Sequence, residues 1–152
     1  METEIAKAGA KETFNRCWTL LETPDRTPEQ DVELLGCALT SRYLWQLAGG
    51  PEQVAMADWM ASRAAASIAE RRDRSTYGAL SVEFAQLAEA ATTEEFPDWM
   101  QASHAEGMAR AAKAAGDVAS FEAWMTEGDR RISLIVDPED QALIASQLGE
   151  LR

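Results

Sequence analysis

Apolar residues recur along this chain at spacings of three and four, and β-branched alternation at two is nearly absent. The first such stretch, Thr3 to Leu21, puts Ala10, Phe14, Cys17 and Leu21 on one face and predicts a helix that stops before Pro24. PDRTPEQ leads to a second helix starting near Pro28. Thr27 is placed to cap it, Pro28 fits the first helical position, and Glu29, Gln30 and Asp31 fill the acidic first turn. Its main stripe, expected to face the core, is Val32, Leu35, Leu39, Tyr43 and Leu47; an adjacent stripe is Leu34, Ala38, Ser41 and Trp45. Gly49-Gly50-Pro51 breaks this helix and opens a third, about Pro51 to Glu70, with the small face Val54, Ala57, Ala61, Ala64 and Ile68. After the basic run Arg71-Arg72-Asp73-Arg74, a fourth helix, about Thr76 to Ala91, packs through Leu80, Phe84, Leu87 and Ala91. The fifth spans about Asp98 to Ala115 and ends at Gly116-Asp117. The sixth, about Asp117 to Ile135, turns Val118, Phe121, Met125, Ile132 and Ile135 inward. Asp137-Pro138-Glu139-Asp140 then caps a seventh helix carrying Ile144, Leu148 and Leu151.

The pattern predicts an all-α single domain over residues 1–152, with about seven helices in antiparallel helix-turn-helix pairs. The 28 alanines among 152 residues favour helices whose backbones approach closely. Residues 101–137 form an alanine-rich helix, Gly-Asp and a second helix, near the repeat length of about 34 residues for tetratricopeptide units. Residues 31–70 echo that layout, and Asp-Trp-Met occurs at 58–60 and again at 98–100. A short tetratricopeptide-like superhelix is the expected architecture, with a compact helical bundle as the alternative.

Charge narrows the function classes. The net charge is −12, and residues 77–152 hold 14 acids against 5 bases, compared with 12 and 9 in residues 1–76. With no basic stripe, nucleic acid is excluded as a partner. No stretch reaches the roughly 18–20 apolar residues of a membrane span, and the start METEIAKAGAKETF lacks the bases and apolar core of a signal peptide, so no membrane partner and a cytoplasmic location are expected. Cys17 and Cys37 lie 20 apart, outside any metal or redox motif, and read as buried free thiols or as a disulfide between neighbouring helices. One histidine excludes multi-histidine metal centres. No phosphate-binding loop, nucleophile elbow or CxxC is present; no metal and no cofactor are expected, and the chain reads as non-enzymatic.

The candidate binding surface is a set of arginines and tryptophans. Arg42 precedes Trp45 by three, and Trp59 precedes Arg63 by four, spacings that allow cation–π stacking. Glu106 and Arg110 are four apart in the favourable acid-first order, on a stripe extended by Ser103 and Trp99. If that face lines a groove, the guanidinium can hold a ligand carboxylate; otherwise the pair is a solvated helix contact. His104, between Met100 and Met108 on another face, reads as a core or boundary histidine, or as a base or ligand. Five tryptophans suit both packing and recognition. No carboxylate pair has the spacing of acid–base catalysis, and Glu83 reads as partly buried.

Arg26-Thr27, ALTSRYLW at 38–45, WMASR at 59–63, HAEGMARAAKAAGD at 104–117 and DPED at 137–140 resemble a group of bacterial all-helical proteins described as tetratricopeptide-like. The resemblance implies a helical-repeat fold and a polar surface shared through Arg42, Trp45, Trp59, Arg63, Glu106 and Arg110. The group's run at 38–45 often carries histidines; this chain has Leu39 and Leu44 there, so any histidine chemistry is not carried over. No activity is implied. The leading functional expectation is an interaction domain that binds a peptide or protein partner through an Arg- and Trp-lined groove. The alternatives are a small-molecule-binding protein or degenerate enzyme, with His104 or Glu106 in an enclosed pocket, and a homodimer held by an apolar face.

Overall fold

The computed structural model describes residues 1–152. It consists of seven helices: α1 Thr3–Leu21, α2 Pro28–Ala48, α3 Pro51–Ala69, α4 Arg74–Ala91, α5 Asp98–Ala115, α6 Val118–Ser133 and α7 Pro138–Gly149. The caps follow local chemistry. Thr27 and Gln30 form a reciprocal capping box on α2. Asp73, Asp117 and Asp137 each accept a backbone N–H at the start of α4, α6 and α7. The cap at Asp73 starts α4 at Arg74, two residues before the expected Thr76. Gly116 ends α5 at φ 78°, in the left-handed region that favours glycine.

Each helix packs on its chain neighbours, consistent with helix-turn-helix stacking. In addition α1 meets α3, α3 meets α5, and α5 meets α7, whereas the backbones of α2, α4 and α6 stay apart from one another and only the Glu89–Arg131 ion pair joins α4 to α6. The odd-numbered helices therefore form one continuous layer, and the even-numbered helices cover it from one side. The helices in the middle are the most enclosed: α3 buries 12 residues and α5 buries 11, against 5 in α2 and 3 in α6. Their alanine content lets backbones from several directions approach at once. No helix is long and apolar enough to cross a membrane.

Where the helices are less enclosed, the expected inward faces change. On α2 the adjacent stripe is the buried one, through Leu34, Ala38, Ser41 and Leu44, while Val32 (71%), Tyr43 (58%) and Leu47 (51%) are exposed. The cause is close approach to α1. Ser41 Oγ donates to the Ala10 carbonyl at 2.9 Å, and Leu44 presses on Gly9, so the contact admits small side chains and excludes Leu39 and Tyr43. On α4 the buried residues are Gly78, Ser81, Ala85 and Ala88, and Leu87 is exposed for the same reason: Ser81 and Ser62 exchange hydrogen bonds with each other's carbonyls at 2.8 Å. Val118 and Glu83 are also exposed. Met125, Ile132, Ile135, Ile144, Leu148 and Leu151 form one core cluster with Ala102 and Ala109 of α5. Both cysteines are free; burial pushes the Cys17 thiol up to about 12.

Candidate functional site

One face of the odd-helix layer carries most of the polar side chains that the sequence singled out. Met56, Trp59, Arg63 and Ser67 of α3, with Glu70 just beyond its end, follow at steps of three and four, and on α5 so do Ser103, Glu106 and Arg110. Where these stripes meet, Arg63 lies beneath two indole rings, with its guanidinium carbon 5.1 Å from the Trp18 ring centre and 5.6 Å from that of Trp59. Trp59 reaches this position because α5 has glycine opposite it. A Cβ on Gly107 would sit 2.8 Å from Trp59 Cδ1.

Glu106 is wholly buried beside this arginine. Its Oε1 accepts from Arg110 Nε at 2.7 Å and lies 3.6 Å from Arg63 Nη1. Arg110 also reaches the end of α7, donating to the Gln147 carbonyl at 3.3 Å and to Glu150 Oε2 at 3.2 Å. Glu150 Oε2 is 3.7 Å from Arg63. These distances leave Arg63 within Coulombic reach of two carboxylates but with no hydrogen bond to either. Five buried side-chain polar atoms in the molecule lack a partner, and four belong to this group: Trp59 Nε1, Arg63 Nη1, Glu106 Oε2 and Gln147 Oε1. Burial, then the neighbouring Arg110 charge, pushes the Arg63 pKa down. Buried polar groups are ordinarily satisfied, so this cluster of exceptions singles the place out as the candidate site.

A recess of about 190 Å³ opens here, lined by Leu21, Arg63, Ala66, Ser67, Glu70, Arg110 and Glu150. At ~30 Å³ per water molecule it has room for about six waters, below the ~300 Å³ of ordinary ligand pockets. It suits a ligand of a few heavy atoms, or the charged end of a larger one.

The remaining candidates lie elsewhere. Arg42 is hydrogen-bonded to the buried Asp58. Asp58 precedes Arg63 by five residues, so the two point about 140° apart around α3. The three arginines thus do not meet in one groove. Burial pushes the Asp58 carboxyl up, against the pull of Arg42. Trp45 borders a separate hollow of about 400 Å³ with Phe14, Met56, Met100, Lys11 and Glu52. Trp99 packs between the α6–α7 core and the cluster around Phe96. His104 is buried on the other side of α5, with Nδ1 at 2.5 Å from Thr92 Oγ1 and Nε2 unpartnered; burial, then the Arg131 charge, lowers its pKa to about 4.

Several participants carry no signal in the sequence pattern. Glu150 and Gln147 reach Arg110 from about 40 residues away, through the packing of α7 on α5. Asp31, expected only in the first turn of α2, is buried between Arg26 and Arg72. Arg26 spans from there to the Leu20 carbonyl and to Ser67 on the recess wall. No group of three His, Cys, Asp or Glu side chains is placed to hold a metal ion. Comparison with family models, curated proteins and solved structures found no match.

Proposed function

We propose that this chain is a single, cytoplasmic, non-enzymatic helical binding domain, stacked in the tetratricopeptide-like manner, that takes a carboxylate-bearing ligand in the recess between α3 and α5. The carrying observation is Arg63: a largely buried guanidinium, stacked on Trp18 and Trp59, that makes no hydrogen bond of its own and faces an opening. Of the carboxylates that meet Arg63 and Arg110, Glu106 is fully buried and fixed, whereas Glu150, with a side chain 55% exposed, can give up its place to a ligand carboxylate. Paired arginines offer a carboxylate two forked sets of donors in a water-poor setting, where such bonds are strong.

The test is a titration with sodium acetate, against sodium chloride of equal ionic strength, followed by NMR of the arginine Nε–H and indole N–H groups. Shifts concentrated on Trp59, Arg63 and Arg110, and their loss in Arg110→Gln, are expected. Uniform or absent shifts overturn the reading.

A second reading, a peptide or protein partner, draws on a different observation. The hollow of about 400 Å³ beside Trp45 has apolar walls from Phe14, Met56 and Met100, with Lys11 and Glu52 also lining it. Aromatic and methionine side chains there suit an apolar anchor from a partner. Trp45→Ala lowers partner recovery if this surface is used, and leaves acetate binding at Arg63 unchanged.

A further inference from the structure

The recess has charge of both signs on its wall, and the two signs come from different helices. Arg63 and Arg110 supply the positive part. The negative part is Glu150, which pairs with Arg110, and Glu70, which follows the last residue of α3, lies within Coulombic range of Arg63 and makes neither a hydrogen bond nor an ion pair. The carbonyl end of α3 adds partial negative charge at the same place. Ser67 Oγ accepts from Arg26 at 2.6 Å, which leaves its own proton free to be donated. Leu21 and Ala66 complete the wall with small apolar area.

Glu150 shows where an anion sits. It follows Gly149, the last residue of α7, and its Oε2 lies 3.2 Å from Arg110 and 3.7 Å from Arg63, while the rest of its side chain is half in solvent. It is a carboxylate tethered to the protein in the position a ligand carboxylate would take. The tether is secured separately, by Lys113 Nζ donating to the Leu151 carbonyl at 2.8 Å, so the carboxylate can leave without releasing the chain end.

We propose that the recess is a subsite for a small zwitterion of the α-amino-acid class. Its carboxylate replaces that of Glu150 between Arg63 and Arg110, its ammonium faces Glu70, and a short aliphatic side chain lies on Leu21 and Ala66. The volume of about 190 Å³ restricts the ligand to a small member of that class. This rests on the carboxylate reading above and adds to it both the ammonium requirement and the role of Glu150 as an internal competitor.

Calorimetric titration of the wild-type chain, Glu150→Gln and Glu70→Gln tests all three parts. The probes are L-alanine, propionate (the same skeleton without the ammonium) and ethylamine (without the carboxylate). Circular dichroism checks that each variant is folded. L-alanine is expected to bind Glu150→Gln about tenfold more tightly than wild type, the gain when a competitor that holds the site roughly nine-tenths of the time is removed. Propionate is expected to bind about tenfold more weakly than L-alanine in both proteins, a difference that Glu70→Gln abolishes. Ethylamine is expected not to bind.

Equal binding of propionate and L-alanine overturns the zwitterion assignment and leaves the carboxylate reading standing. Equal affinity of wild type and Glu150→Gln for L-alanine overturns the competitor role. No binding of any probe to either protein overturns the carboxylate reading itself.

Discussion

Two places in this molecule set two arginines around one buried carboxylate. Asp31 is held by Arg26 and Arg72, and each of its oxygens accepts from a different guanidinium. Glu106 is held by Arg110 and approached by Arg63, but both contacts fall on Oε1, and Oε2 has no partner. The first cluster is closed: Arg26 also takes the Leu20 carbonyl and Ser67, tying the α1–α2 connector to α3. The second is open, with a recess beside it and a half-exposed carboxylate from the chain end making up the charge. Similar ingredients yield a structural clamp where no buried polar atom is left without a partner, and a site where some are. Completion of the hydrogen bonds, rather than the presence of buried charge, separates the two.

Isosteric amides break the comparison most sharply. In Asp31→Asn the new NH₂ group must face an arginine N–H, because both oxygens were occupied. The expected loss is about 3–5 kcal/mol, the range for breaking a buried pair. In Glu106→Gln the NH₂ group can take the place of the unpartnered Oε2, and Arg110 keeps its acceptor. The expected loss is only about 1–2 kcal/mol. Urea unfolding followed by circular dichroism measures both. Equal losses would mean that the two clusters are energetically alike and that the open oxygen has no consequence.

Acid separates the closed clamp from a third buried group, His104. Its pKa is depressed from 6.5 to about 4, so the folded chain keeps it neutral while the unfolded chain protonates it below about pH 6.5. Stability is therefore lost as pH falls from about 6.5 towards 4, by roughly 3 kcal/mol in total. Asp31 acts lower on the scale. Burial pushes its carboxyl up, but the hydrogen bonds and charges of Arg26 and Arg72 outweigh that and hold it below its usual value. The clamp's contribution is thus present above the ordinary carboxylate range and is lost as pH falls through the lowered value. Equilibrium unfolding against pH should show His104→Gln flattening the upper limb and Asp31→Asn the lower one.

Gly107→Ala tests the wall of the open site. The added Cβ falls 2.8 Å from Trp59 Cδ1 and 3.2 Å from its Nε1, and the ring is buried, so it must shift off Arg63. Overpacking of this kind costs about 1–3 kcal/mol, against which the better helix propensity of alanine returns up to ~1 kcal/mol. A net loss of about 1 kcal/mol is expected, with a change in tryptophan fluorescence. The corresponding Gly36→Ala on α2, where a Cβ meets nothing within 4 Å, should be neutral or stabilising by that same ~1 kcal/mol.

The contrast between the clusters also marks what the sequence could convey. Helix number, caps and breaks were legible because they are local: Thr27 with Gln30, proline at the start of α2, α3 and α7, Gly116 at the turn. The Glu106–Arg110 pair was legible for the same reason, being four residues apart on one helix. The buried face of α2 was not. Its apolar stripe is more hydrophobic than its small-residue stripe, but the approach of α1 selects by size, with Ser41 against Ala10 and Leu44 against Gly9. Nor was the pairing of Arg42 with Asp58 rather than with a groove legible, since it joins two helices. Glu150 gains its role from the packing of α7 on α5, and Asp31 from the connector that brings Arg72 to it from 41 residues away, neither of which a spacing in the chain encodes.

A small stability effect should come from Glu150, the residue whose neutralisation is expected to tighten binding. Glu150→Gln removes a charge whose side chain is 55% exposed, and exposed pairs contribute at most ~1 kcal/mol and commonly less. Arg110 retains Glu106 at 2.7 Å and the Gln147 carbonyl at 3.3 Å, so α7 stays docked. A change in unfolding free energy below about 0.5 kcal/mol is therefore expected. A loss as large as that of Glu106→Gln would make Glu150 an integral member of the cluster, and the open site would then be a second closed clamp completed by the chain end. A negligible loss leaves the two arginines held in place by Glu106, Trp18 and Trp59, with an anion position that folding does not require to be filled from within.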